Sequence, residues 1–434
     1  MNRTLLAAFA GSALAAQLSA QAAPTASPPV RPSAFAITNA TIVPVTGSRI
    51  ASGTVVIQDG KIAAVGASVP VPAGAQVIDG KGLFVYPGLI DSGTRLGLVE
   101  IGSVPGGQDT QELGQFNPAD AALTAVNPHS VHFPITRANG VTSVITSATG
   151  GLIEGWAALI DVTGWTPDEM AEKGRAAMVM TYPRIAGRGR FGGGGRFGAQ
   201  QQGDPAEAQN RQVRELTDYL RNARAYNERP DPVPQNLAYA ALGPALRGEA
   251  PVLFDVQTEG QIRGVLALAD SFKLKVILRG ATDAWRLADT LAARKIPVIV
   301  GPMTEVPEGD APYDAVYANP GVLARAGVQI AFQSNDAGEG DARNLPYNAA
   351  LATAYGLDPE EALRAVTINP ARIWGVADKL GSLEPGKVAN LFVTTGDPLD
   401  VRSVVKDVFI RGQLMPWDDR HTTLYNQFKA RPKP

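Results

Sequence analysis

The sequence predicts an α/β protein built on a (β/α)8 barrel of the TIM type, with β-rich segments at both chain ends. Three observations carry that expectation. Eight short apolar runs lack the strict alternation of half-buried strands, so they suit parallel strands covered on both faces: residues 83–91, 141–146, 156–162, 176–181, 251–256, 274–278, 296–300 and 328–332. Helical stripes lie between several of them, such as Ile262, Val265, Leu266, Ala269 and Phe272, then Leu287, Ala288, Leu291 and Ala292. Both ends return to β character, with Val55-Val56-Ile57 and Ile62-Ala63-Ala64-Val65 across an Asp59-Gly60 turn, and later runs at 390–395 and 404–410. An open doubly wound sheet is the alternative, but no Gly-rich phosphate turn follows any strand.

Local signals agree with these elements. Val77-Ile78 and Leu83-Phe84-Val85 flank the turn residues Asp79-Gly80-Lys81-Gly82. Asp358-Pro359-Glu360-Glu361 reads as an N-cap with proline at the first helical position. Asn369-Pro370 opens a further short helix that ends near Gly375.

The N-terminus reads as a secretory signal peptide over residues 1–22. Arg3 supplies the positive region, residues 5–18 the apolar core, and Ala20-Gln21-Ala22 the small-x-small cleavage site. A periplasmic location follows as an expectation, without a membrane anchor. The chain has no cysteine, which excludes disulfides, thiolate metal sites and a cysteine nucleophile. Its formal charge of −2 offers no general attraction for nucleic acid. Residues 186–203 are rich in Gly, Arg and Gln and read as a solvated, flexible insertion after a barrel strand.

The sharpest motif is Pro87-Gly88-Leu89-Ile90-Asp91, followed by Ser92-Gly93-Thr94-Arg95. Asn344-Leu345-Pro346, residues 367–372 and Gly381-Ser382-Leu383-Glu384-Pro385-Gly386-Lys387 form a second group of phrases. In these the chain resembles the amidohydrolase superfamily, in particular its imidazolonepropionase-like periplasmic members. The resemblance implies a small β-sandwich made from both ends, here residues 34–85 and 378–418, clasping a barrel at 86–377. It also implies hydrolysis of carbon–nitrogen bonds other than peptide bonds in small amide-type molecules. In that family a metal-bound hydroxide attacks the carbonyl, and an aspartate on the last strand moves the proton.

The ligand positions that the resemblance implies are altered. The first strand of the family continues as x-His-x-His, which lets two imidazoles on one strand face meet one cation. Gly93 and Arg95 stand in those places. A glycine has no ligand, and an arginine has no lone pair to give a metal. Asp255 and Gly280 stand where the fifth and sixth strands would carry histidines, and the fourth strand has no lysine or carboxylate to bridge two metals. Asp336, or Asn335 beside it, holds the place of the last-strand aspartate, and Asn390 stands where an aspartate is usual. No cofactor is assigned: the family uses zinc or another divalent metal, and its ligand histidines are absent here.

Asp336, Asp255 and Arg95 are therefore the candidate catalytic residues, and Asn335, Arg279 and Glu100 the candidate substrate contacts. Arg95 is expected to replace the metal and pair with Asp255 or Asp336. His129 and His132 are spaced to share a helix face but precede a barrel strand, and His421 lies in a charged tail. An oxygen-ligand site of Asp91, Asp255 and Asp336 would suit Mg²⁺ or Ca²⁺, although Asp91 also reads as a structural acceptor. A carboxylate pair of the glycosidase kind could come from Glu100, Asp109, Glu112, Asp255 or Asp336. A Gly-x-Ser-x-Gly elbow is absent. Two functions remain: a hydrolase with a degenerate metal site, or a non-catalytic binding protein that partners a homologous amidohydrolase subunit.

Overall fold

The computed structural model describes residues 34–185, 204–230, 233–307, 310–336 and 340–432. The expected signal peptide and the insertion at 186–203 lie outside them. Five strands open the chain: β1 (Ala34–Ile42), β2 (Ile50–Gln58), β3 (Lys61–Gly66), β4 (Gln76–Asp79) and β5 (Phe84–Pro87). Eight follow: β6 (Leu89–Thr94), β7 (Val141–Thr146), β8 (Ile153–Asp161), β9 (Ala171–Thr181), β10 (Val252–Val256), β11 (Val276–Gly280), β12 (Val298–Val300) and β13 (Ile330–Phe332). The last are β14 (Leu391–Thr394), β15 (Val405–Ile410) and β16 (Gln413–Leu414).

Strands β6 to β13 form one sheet in sequence order. It nearly closes on itself, because Thr94 bridges Asp336 and the Asn335 N–H donates to the Gly93 carbonyl at 3.0 Å. Alternation decides what fills the interior. Ile90, Ile145, Leu159, Val179, Leu253, Ile277, Ile299 and Ala331, one from each strand, share a single cluster with Trp374 and Leu380. Their strand neighbours Val252, Phe254, Val276, Leu278, Val298 and Val300 belong to the outer cluster with the helices. The helix Glu259–Phe272 shows how the outer layer is set. Thr258 and Gln261 cap it reciprocally, and Ile262, Val265, Leu266, Ala269 and Phe272 are buried.

Two expectations need correction. The run 83–91 is two strands: β5 joins the other sheet, and β6 enters the barrel after Gly88. A Cβ at Gly88 would stand 2.1 Å from the Thr142 hydroxyl oxygen, so only glycine lets the chain turn there. The third barrel strand, β8, runs antiparallel to both β7 and β9. Only residues 147–152 separate β7 from β8, whereas a parallel crossover needs about a dozen residues or more. The start of β8 thereby reaches the same barrel end as the C-termini of the other strands.

The second sheet draws on both chain ends, with β14 antiparallel to β5 and β15 and β16 beyond it. Its strands bury Ile37, Ile42, Val55, Ile57, Val85, Leu391, Val393 and Phe409 in a core of their own. A buried polar joint ties it to the barrel. Asp161, at the end of β8, accepts from Ser143 Oγ and Asn390 Nδ2 (both 2.8 Å) and from Arg411 Nε (2.7 Å). Among the described residues no helix is long and apolar enough to cross a membrane.

Candidate functional site

The alternation that fills the barrel also builds its mouth. Two residues beyond the inner apolar layer stand Ser147, Thr181, Asp255, Arg279 and Gln333. The Arg279 guanidinium spans this opening. Its Nε and Nη2 donate to the Asp255 carboxylate at 2.5 and 2.6 Å, and its Nη1 donates to Ser147 Oγ at 2.9 Å. A planar fork on a carboxylate is the strongest geometry such a pair can take. It links β11 to the adjacent β10 and to the segment leaving β7, three strands farther round the sheet.

Glu154 completes the cluster. It lies on β8 and is only 6% exposed; the Thr181 hydroxyl donates to its Oε1 at 2.8 Å, while its buried Oε2 has no hydrogen-bond partner. Burial pushes its carboxyl up to about 7, and the charge of Asp255 pushes the same way; Arg279, Thr181 and the Gly150 N–H oppose them. Sequence reasoning missed Glu154 because it starts the third strand at Trp156. The available signal was a single carboxylate inside the apolar run Leu152-Ile153-Glu154-Gly155-Trp156.

The other candidates have distinct places. Asp91 is fully buried and closes the barrel, accepting from the Gly93 N–H at 3.0 Å and the Ser334 N–H at 3.1 Å. Burial pushes its carboxyl up to about 7 against these hydrogen bonds. Asp336 is buried, and its Oδ2 accepts from the Ala342 N–H at 2.8 Å, whereas Asn335 is exposed at a left-handed φ of 56°. Asp336 is therefore the inward member of that pair. The Arg95 N–H donates to the Asp336 carbonyl at 2.7 Å. The guanidinium that engages Asp255 is that of Arg279. Glu100 is held away from this cluster in the segment after β6, where Oε1 accepts from Asn127 Nδ2 at 3.0 Å.

The histidines do not converge. His129 packs edge-on to Trp165, His132 Nε2 lies 3.1 Å from the Glu100 carbonyl, and His421 Nδ1 meets Arg343. Asp109 and Glu112 are exposed. Among the described residues no group of three or more His, Asp or Glu is placed to hold a metal ion.

Two of the expected ligand positions are crowded, Gly93 by a side chain and Gly280 also by its own backbone conformation. A Cβ at Gly93 would stand 2.2 Å from Gln333 Oε1, because the Gln333 side chain fills that space and donates to the Gly301 carbonyl at 2.7 Å. Gly280 has φ +81°, and a Cβ there would stand 2.7 Å from Gln257 Nε2 and 2.9 Å from the Val256 carbonyl. Gly280→His should therefore lower stability by about 2 kcal/mol or more, through backbone strain and overpacking. A denaturant titration with and without Zn²⁺ checks this, and the metal should restore nothing.

Comparison with known proteins places this architecture. The model of the amidohydrolase family matches residues 315–415. An amidohydrolase from Thermotoga maritima superposes with a TM-score of 0.77 at 26% identity, over 88% of this chain and 99% of that one. These matches support the amidohydrolase superfamily for this chain. Amidohydrolase tasK of Hapsidospora irregularis is 24% identical over 83% of the chain, which spans 39% of that protein's length. An imidazolonepropionase of Porphyromonas gingivalis is 42% identical over 18% of the chain and 19% of its own length. The superfamily is one of hydrolases, and its α/β barrel with a separate sheet is the fold observed here.

Proposed function

We propose that this protein keeps the superfamily's barrel but has lost its metal-hydroxide chemistry, and that its mouth binds a small amide-type molecule without hydrolysing it. One observation carries the reading: the Arg279 guanidinium stands across the mouth, locked onto Asp255. A permanent cation there repels a metal dication and occupies the carboxylate that such an ion would need. The filled space beside Gly93 and the left-handed backbone at Gly280 support the same degenerate site. Asp255, Arg279 and Glu154 then recognise the ligand, while Asp336 and Arg95 brace the opening beside them.

The rest of the reading extends this one. Export through cleavage after Ala22 would put the protein in the periplasm. There a homologous amidohydrolase subunit with intact histidines is the partner that this chain's own losses call for. The second sheet closes over its own core as a small sandwich, in keeping with its dedicated apolar cluster. The competing reading is a working hydrolase. Incubation with a panel of small amides and cyclic imides, with and without Zn²⁺ or Mn²⁺, separates the two. Thermal shifts without product in the mass spectrum are expected, and metal-dependent turnover would overturn the proposal.

A further inference from the structure

The mouth holds one buried acceptor that its own donors leave unsatisfied. Arg279 directs three of its five N–H groups to Asp255 and Ser147, and none reaches Glu154 Oε2 in hydrogen-bond geometry. Glu154 Oε2 is left without a hydrogen bond although its residue is more than nine-tenths buried. The Asp255 side chain beside it is 29% exposed, so it faces the approach from solvent. Two carboxylates thus share one guanidinium. In its ionised form a carboxylate oxygen accepts only, so the partner that stabilises that form is a donor.

A neutral amide N–H would supply one hydrogen bond and leave the excess negative charge in place. An ammonium offers three donors in a compact group and cancels that charge. Resting on the reading that the mouth takes an amide-type ligand, we infer that Glu154 and Asp255 form a subsite for an ammonium group on that ligand. The favoured class is then the amino-bearing amide, such as an aminoacyl amide, rather than a neutral amide or an acid.

Titration calorimetry with glycinamide and acetamide tests this, since the two differ in the ammonium and share the amide. The wild-type protein should bind glycinamide at least about tenfold more tightly than acetamide. Glu154→Gln, nearly isosteric, should bring the two within about twofold. Glycinamide binding near pH 6 should also release protons, seen as a dependence of the heat on buffer ionisation, because the bound cation favours the ionised carboxylate. This second readout needs no variant to fold. Equal affinities for the two amides, or heats independent of buffer, would overturn the subsite while leaving the amide-binding reading intact. Failure of both amides to bind would overturn both. Competition by potassium chloride at the same concentration as glycinamide would make the site one for simple cations and would also refute the inference.

Discussion

Arg411→Ala should destabilise the protein by about 2–3 kcal/mol, below the value for a fully buried pair because the Arg411 side chain is 35% exposed, and still one of the largest losses expected outside the apolar core. Asp161 is fully buried where the second sheet meets the barrel, and Arg411 is its charge partner at 2.7 Å. The same guanidinium reaches Glu172 at 2.7 Å and the Glu169 carbonyl. Burial pushes the Asp161 carboxyl up to about 7 and the neighbouring Glu172 adds to the rise, so Arg411 is what makes an ionised Asp161 tolerable. Without it the carboxyl must take up a proton or stay charged and uncompensated, in a pocket whose donors Ser143 and Asn390 are set for the ionised form. Arg411→Lys should fall between, because an ammonium cannot serve both carboxylates and the backbone carbonyls together. Denaturant unfolding followed by circular dichroism checks the order, and Asp161→Asn added to Arg411→Ala should recover part of the loss.

Arg279→Ala should cost about 2–3 kcal/mol at pH 8 and distinctly less at pH 5. The size is set below that of a fully buried pair because the Asp255 side chain keeps 29% of its exposure. The pH dependence comes from Glu154, whose carboxyl lies near 7 in the folded protein against an ordinary 4.5. A raised carboxyl binds its proton more tightly in the folded state than in the unfolded one. Its contribution is fully present below about pH 4.5, falls as pH rises to about 7, and is flat above that. Removing Arg279 deletes the largest influence holding that value down, so the fall should extend to higher pH. Urea titrations at the two pH values measure the difference, and equal losses would count against the coupling of Glu154 to Arg279.

Much of the barrel was legible because two periods are written plainly in the chain. The apolar runs give eight strands, and the stripe from Ile262 to Phe272 gives a helix that the structure shows over Glu259–Phe272. The direction of β8 was overlooked, although the short, glycine-containing link at 147–152 leaves no room for a crossover. The mouth was harder to read. Gly93, Asp255, Gly280 and Asp336 were found by their places in motifs, and the structure puts Asp255 and Asp336 at barrel-strand ends. Which arginine faces Asp255 could not be read that way, because it depends on strand neighbourhood: Arg279 pairs in register with Asp255 on adjacent strands. The Asp161–Arg411 joint was invisible for a similar reason, since it brings residues 250 positions apart into contact.

The proposed function rests on the Arg279 guanidinium standing where the superfamily would hold a metal. Its most direct test is the metal content of the purified protein by mass spectrometry, after incubation with excess Zn²⁺ or Mn²⁺ and desalting. Far less than one ion per chain is expected, unchanged in Asp336→Asn. A stoichiometric ion lost in Asp336→Asn or Asp255→Asn would contradict it.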